Sequence, residues 1–333
     1  MSRHAGAYWA TGPGRGEIRE TTLPPPGPGE VLVRSRYSAI SRGTEALVAQ
    51  GRVPVSQHIL MRCPFQEGSF PFPVKYGYCS VGVVEAGPPE LIGRTVFCLY
   101  PHQTRYVVPA SAVQVLPEAL DARRAVLTAN LETALNAVWD AALLPGERVI
   151  VIGAGVIGCL IARLAAGLPG AEVTLVDIDP AKQAVAAALG VPFATSLDGL
   201  EPADCILNAA ASPEALAGAL AAAGFEARIV EVSWYGDRSV PLPLGEAFHS
   251  RRLKLVSSQV GAVAPTMRPR FDHRRRLAKS MDILAADDRL EALIDGETPF
   301  AELPAAMPGI VGGSGLCHVV TYDEARPAPA DAG

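Results

Sequence analysis

The 333-residue sequence has no apolar run near the roughly 18 residues that a membrane span needs; even Arg148-Val-Ile-Val-Ile-Gly-Ala-Gly is soon cut by glycine. A transmembrane helix is therefore excluded. Residues 1–30 hold Arg3, Arg15, Glu17, Arg19 and Glu20 but no apolar core, so no signal peptide is expected and the chain reads as cytoplasmic. Charge is nearly balanced as well: 29 basic residues stand against 34 acidic ones, with a formal net charge of -5 and no long run of one sign. That argues against a nucleic-acid-binding surface. The six cysteines, Cys63, Cys79, Cys98, Cys159, Cys205 and Cys317, include no C-x-x-C pair and no cysteine–histidine cluster. They read as reduced thiols, and both a disulfide framework and a zinc ribbon are excluded. Aromatic residues make up only 6% of the chain.

Glycine, proline and small apolar residues are plentiful instead, and 49% of the chain is hydrophobic. That is enough for a large core, and the length favours two domains. Up to residue 118, glycine and proline punctuate short β-type runs, among them Val31-Leu-Val-Arg-Ser-Arg-Tyr, Val81-Gly-Val-Val-Glu-Ala, Arg94-Thr-Val-Phe-Cys-Leu and Arg105-Tyr-Val-Val. This spacing suits a small, irregular β-barrel. After Ala122–Val138, which has helical periodicity, strands at Arg148–Ile152, Glu172–Asp177, Asp204–Asn208 and Ala227–Val232 alternate with helices at Gly155–Ala166, Pro180–Leu189 and Pro213–Ala223. Alternation of this kind predicts a parallel sheet with helices on both faces. A basic segment, Arg268-Pro-Arg-Phe-Asp-His-Arg-Arg-Arg, leads into a helix ending near Ala292, and a strand-like Cys317-His-Val-Val-Thr-Tyr follows. The expected division is 1–118 with 294–325 as one domain, 119–293 as the other, and 326–333 as a disordered tail.

Gly153-Ala-Gly-Val-Ile-Gly158 directly follows an apolar strand and opens an apolar helix, and Asp177 lies 19 residues beyond Gly158 at the end of the next strand. In that context the motif predicts a dinucleotide site. Gly153 permits the tight turn, Gly155 lets the backbone approach a pyrophosphate, and Gly158 lets helix and strand pack closely. The helix start at Val156 and Ile157 offers N–H groups to the anion, and Asp177 is placed for the ribose hydroxyls of NAD.

A barrel, then a G-x-G-x-x-G domain, then a C-terminal return resembles the medium-chain dehydrogenase/reductase superfamily over about residues 5–322. The landmarks are Gly77, Gly82-Val-Val-Glu-Ala-Gly87, Arg105-Tyr-Val-Val-Pro109, Thr133-Ala-Leu-Asn-Ala-Val138, Pro145-Gly-Glu-Arg-Val149, and Asp177 followed by Lys182. The resemblance implies an α/β chain with a GroES-like irregular β-barrel domain and a doubly wound Rossmann domain, a small-molecule substrate and a homodimer. It also implies Thr133, Lys182, Ala209 and Gln259 as further cofactor contacts. The zinc ligands of the family do not carry over. Arg42-Gly-Thr-Glu45 stands where zinc members read C-G-T-D, Gly77-Tyr-Cys79 stands where they read G-H-E, and the third slot falls near Ala129. Ser41-Arg-Gly-Thr-Glu45, Tyr76-Gly-Tyr-Cys-Ser80, Gly245-Glu-Ala-Phe-His249 and Ser257-Ser-Gln-Val-Gly261 are similar to a zinc-lacking branch that includes a bacteriochlorophyllide hydroxyethyl dehydrogenase. Unlike that enzyme, this chain carries an extra segment, Val55–Phe72, near the expected substrate cleft.

Hydride transfer without zinc needs a proton carrier and a cation at the reacting oxygen. Tyr78 and Arg42, in former ligand slots, are expected to converge there, with the arginine lowering the phenol's pKa; Thr44 occupies the proton-relay position. His102 and Glu45 are further proton carriers. A tyrosine that merely fills the vacated cavity, and an Arg42 paired with Glu45, stay open. Arg274-Arg-Arg276 either attracts an anionic substrate or is a solvated helix face. The expected function is a zinc-independent, NAD-linked alcohol/ketone oxidoreductase. Two other readings also stand: a quinone or enone C=C reductase, and a nucleotide-binding sensor that has lost its chemistry.

Overall fold

The computed structural model describes residues 4–322. Its first sheet runs in the order Ile294–Pro299, Cys317–Thr321, Glu30–Ile40, Ser80–Ala86, Thr95–Cys98 and Val113–Val115, with Arg105–Pro109 also paired to Glu30–Ile40. Alternation decides the faces: Val31, Val33, Val84, Val96, Tyr106 and Val108 are all buried in one apolar cluster. The last strand lies antiparallel on Tyr37–Ile40, so the chain end does return to the first sheet. A hairpin of His4–Gly12 and Arg15–Thr22, not visible as a sequence pattern, forms a smaller sheet with Val74–Lys75 and Glu67–Gly68.

The second sheet is parallel, in the order Phe193–Ala194, Glu172–Val176, Arg148–Ile152, Ala203–Asn208, Ala223–Glu231 and Lys254–Ser257. Numbered along the chain this is 3-2-1-4-5-6, the doubly wound arrangement. Val149, Val151, Leu175 and Leu207 face one apolar cluster, while Ile150, Ile152, Val176 and Ile206 face another. Both faces are covered, which is why these strands read as continuous apolar runs rather than as alternating ones. Strand order reverses at Arg148–Ile152, with successive strands added on one side and then on the other, so a crevice opens at the carboxyl ends of the first and fourth strands.

Most expected helices form with shifted ends. Ala122–Val138 becomes a 3₁₀ turn, Arg124–Leu127, and a helix, Thr128–Ala141. Pro180–Lys182 is likewise a 3₁₀ turn, with Asp179 accepting from the Ala181 amide, and the helix proper is Gln183–Leu189. The helix expected to end near Ala292 runs His273–Ala286, and a 3₁₀ stretch, Asp288–Leu293, completes it. Two helices carried no readable signal, Arg42–Ala49 and Leu303–Gly312. The tail expected at 326–333 lies outside the described residues. Among the described residues no helix is long and apolar enough to cross a membrane, and all six cysteines are buried and free.

The basic run is not the uniformly solvated face that was one expectation. Arg276 is 1% exposed. Its Nε donates to Glu132 Oε1 at 2.9 Å and its Nη1 to Asn136 Oδ1 at 2.6 Å, and it also reaches the carbonyls of Val260 and Ala262. One guanidinium thus ties together helices Thr128–Ala141 and His273–Ala286 and the loop that follows the last parallel strand. Burial of such a pair costs nearly what the attraction returns, but removing one partner strands the other charge. Arg276→Leu should lower the unfolding free energy by about 3–5 kcal/mol, read as a reduced urea midpoint at unchanged slope.

Candidate active site

The glycine loop sits where the strand order reverses. Gly153 has a φ of +97°, which a side chain would strain, and a Cβ at Gly158 would lie 1.8 Å from the Gly153 carbonyl oxygen. Those two glycines are required by the chain's own packing. Gly155 is different: a Cβ there would meet nothing within 4 Å, so it is the space beyond it, and not the protein, that favours a bare backbone. Helix Val156–Ala165 starts at Gly155 with no side-chain cap, leaving its first N–H groups for an anion. Asp177 Oδ2 accepts from the Ala154 amide at 2.7 Å and Oδ1 from the Asp179 amide at 2.9 Å, which fixes the carboxylate beside the loop. Ala209 donates its amide to the Ile152 carbonyl, and its methyl lies near Gly158. Lys182 extends to the Ser314 carbonyl at 2.5 Å.

A cleft of about 540 Å³ opens between the two sheets. Thr133 and Gln259 line it from the parallel-sheet side, and Thr44, Tyr76 and Tyr78 from the other. Thr133 Oγ1 donates to the Ala129 carbonyl at 3.0 Å, and Gln259 Oε1 accepts from the Gly261 amide at 2.6 Å. The Val55–Phe72 segment does reach this cleft: Leu60, Met61, Arg62 and Cys63 form part of its wall. Met61 Sδ lies 4.0 Å from Gln259 Nε2.

The Tyr78 hydroxyl faces the side chains of Ser41 and Thr44, whose hydroxyls favour its ionised form but are outweighed. Its ring meets Tyr76 edge-on, with centroids 6.0 Å apart. Burial of the hydroxyl, reinforced by the nearby Glu45 carboxylate, pushes this phenol far above the usual tyrosine range. The expectation of an arginine-activated phenolate is therefore overturned, and at neutral pH Tyr78 is a protonated donor. Arg42 does not converge on it. The Arg42 side chain turns the other way, donating to the Gly315 carbonyl and lining a separate hollow with Asp295 and His318. Helix Arg42–Ala49 is the cause, because its first turn separates the directions taken by Arg42 and Thr44. Nor is Arg42 paired with Glu45.

His102 was expected to line the cleft but is 1% exposed. Its Nδ1 lies 2.7 Å from Ser38 Oγ and its Nε2 3.0 Å from Glu45 Oε2. Ser38 continues to the Tyr322 hydroxyl at 2.9 Å, and Glu45 Oε1 accepts from the Ser41 amide at 2.8 Å. Gly77, with φ +129°, passes so close that a Cβ would sit 3.0 Å from the His102 ring. Glu45 and His102 thus form a buried pair beneath the cleft wall. Cys79 is also buried, its thiol held near Asn130 Oδ1 at 3.9 Å. Among the described residues no group of three His, Cys, Asp or Glu side chains is arranged to hold a metal ion. The residues in the old ligand slots do not fit zinc.

Sequence reasoning missed Ser41, although it directly precedes the substituted ligand slot. It also missed Glu231, which accepts from Asn208 Nδ2 at 2.7 Å and from the Tyr235 hydroxyl at 3.0 Å beside the glycine loop. No local motif announces that contact.

No family model matches the chain. Among curated proteins, the 2-dehydro-3-deoxy-L-galactonate 5-dehydrogenase of Pseudoalteromonas atlantica is 26% identical over 221 residues, which is 63% of this chain and 61% of that protein. The match thus spans less than two thirds of that relative. Among solved structures, L-idonate 5-dehydrogenase from Escherichia coli K-12 superposes with a TM-score of 0.78 at 17% identity, over 97% of this chain and 99% of that one. Acetophenone reductase from Geotrichum candidum, in complex with NAD, gives 0.77 at 16% identity, over 96% and 98%. These superpositions span both sheets and the cleft between them, and the chain has the fold of the medium-chain dehydrogenases/reductases, a GroES-like domain joined to a Rossmann domain.

Proposed function

We propose that the chain is a zinc-independent, NAD-linked oxidoreductase that moves hydride between a nicotinamide and an alcohol or ketone in the interdomain cleft. The observation that carries this reading is that an uncapped, glycine-opened helix start lies at the switch point of the parallel sheet, while Tyr78 lines the cleft between that sheet and the first one. The named relative and neighbours are dehydrogenases or reductases, and one neighbour holds NAD, which supports the same reading. Assignment to the zinc-lacking branch rests on the substituted ligand slots.

NAD, when bound, supplies or accepts the hydride. Gly153, Gly155, Gly158 and the amides of Val156 and Ile157 would hold its pyrophosphate, and Asp177 its adenosine ribose. Ala209, Thr133 and Gln259 would flank the nicotinamide end. Lys182 remains a candidate contact once it releases Ser314. The chain's own part in the reaction falls to hydroxyl groups. Tyr78 donates its proton to the reacting oxygen, and Thr44 and Ser41 hold the phenol in place and offer a route for replacing that proton. The Glu45–His102 pair lies behind this group. No step needs a metal.

Elemental analysis should find less than about 0.1 zinc per chain, with turnover unchanged by a chelator; stoichiometric zinc whose removal abolishes activity would refute metal independence. A 2′-phosphate would lie against Asp177, and like charges at about 4 Å repel by roughly 1–4 kcal/mol. Calorimetry should therefore show NAD(H) binding at least about tenfold tighter than NADP(H), with Asp177→Ala narrowing the gap; equal affinities would overturn the assignment. Tyr78→Phe keeps the ring and removes the hydroxyl, so NAD binding should survive while kcat falls about 10²- to 10⁴-fold. A wild-type rate across the pH range would make Tyr78 a space-filling residue.

A further inference from the structure

The walls of the cleft differ from the polar surface that a sugar needs. Leu60, Met61, Tyr76, Leu99, Trp234 and Val260 give the cleft a largely apolar lining, beside the polar Gln114, Ser258 and Gln259. Each hydroxyl of a polyol placed against the apolar side chains would lose water without gaining a partner. The charges are as one-sided as the walls are apolar. Three arginines, Arg62, Arg274 and Arg276, line the cleft against a single carboxylate, Glu132, and that carboxylate is consumed by Arg276. Arg62 and Arg274 are exposed, and among the described residues neither has a carboxylate partner. The chain as a whole is negative, with a formal net charge of -5, so the cleft is a local inversion of sign that concentrates anions.

Both guanidinium groups are held in place by backbone carbonyls. Arg62 donates to Gln66 at 2.8 Å and Gly68 at 3.0 Å, and Arg274 donates to Ser111 at 2.7 Å. Each keeps further N–H donors for a ligand. A guanidinium oriented in this way pays less to bind a planar carboxylate than a free one does. The two arginines come from segments far apart in the chain: Arg62 from the inserted segment and Arg274 from the start of helix His273–Ala286.

We infer that the substrate is an alcohol or ketone on a bulky apolar or aromatic body that carries a carboxylate, not a polyhydroxylated sugar. This rests on the hydride-transfer reading above. The apolar body packs against Leu60, Met61 and Trp234, the carboxylate meets Arg62 or Arg274, and the carbonyl reaches Tyr78. In the reductive direction a hydride from NADH goes to the carbonyl carbon and a proton to its oxygen, giving the secondary alcohol and NAD⁺.

The test compares 4-acetylbenzoate, acetophenone and D-xylulose as oxidants of NADH with the full-length protein. Binding of 4-acetylbenzoate to the NAD⁺-loaded protein is measured separately by calorimetry. The expected kcat/KM order is keto acid, then neutral aryl ketone, then xylulose, with the keto acid favoured over acetophenone by at least about tenfold. Arg62→Gln and Arg274→Gln, singly or together, should collapse that ratio towards one and weaken calorimetric binding of the acid. A xylulose rate above that of the aryl substrates, no binding of the acid, or acid binding that neither substitution changes would overturn the inference. Arginine-dependent binding without NADH oxidation by any of the three would instead remove the hydride-transfer reading and leave the ligand class standing.

Discussion

Helix Val156–Ala165 can leave strand Arg148–Ile152 as steeply as it does only because Gly158 has no side chain. The Gly153 carbonyl oxygen fills the place of its missing Cβ, 1.8 Å from where that atom would be. Much of the site follows from this contact. It aims an uncapped helix start at the crevice, keeps the Ala154 amide within reach of Asp177, and brings the loop against Ala209, just beyond the end of the fourth strand. One steric constraint thus places the anion-binding backbone and the carboxylate beside it together. Neither could move far without breaking the parallel pairing of the sheet.

On the other wall of the cleft, buried hydrogen-bonded groups lie behind Tyr78. Glu45 is held by His102 and the Ser41 amide, and His102 is held in turn by Ser38. A buried carboxylate survives only with such partners, and its charge has an effect beyond them. It reinforces burial in keeping the Tyr78 phenol protonated. Arg42, which sequence position alone would put in the reaction, is drawn off by the Gly315 carbonyl and the Asp295 charge. Arg42 therefore does not supply the positive charge that would have favoured a phenolate at Tyr78.

The inserted segment and the buried Arg276 shape the cleft from two directions. Arg276 neutralises Glu132 and anchors the loop carrying Val260, while the insertion supplies Leu60, Met61 and Arg62. With the one acidic side chain in the lining already paired, the remaining charge is positive and the remaining surface largely apolar. Shape and charge in this cleft are consequences of packing between segments far apart in the chain.

The sequence by itself determined the alternation of strands and helices, the parallel sheet with both faces covered, and the dinucleotide loop with Asp177. Each of these depends on short-range rules: apolar periodicity, a strand before the glycines and a helix after them. The family resemblance put Arg42, Tyr78 and Ala129 in the slots of the zinc ligands. It could not tell where their replacements point. Arg42 and Thr44 are two residues apart, yet helix Arg42–Ala49 sends one to the C-terminal return and the other into the cleft. His102 reads as a loop histidine, yet its partners Ser38 and Glu45 lie 64 and 57 residues away, and it is buried. Arg276 reads as one of three solvated arginines, yet its carboxylate partner is 144 residues distant. Hydrogen bonds of that range leave no periodic trace, since a side chain's direction and burial are fixed by what packs on it. Only the tertiary structure decided which of the candidate groups meet in the cleft.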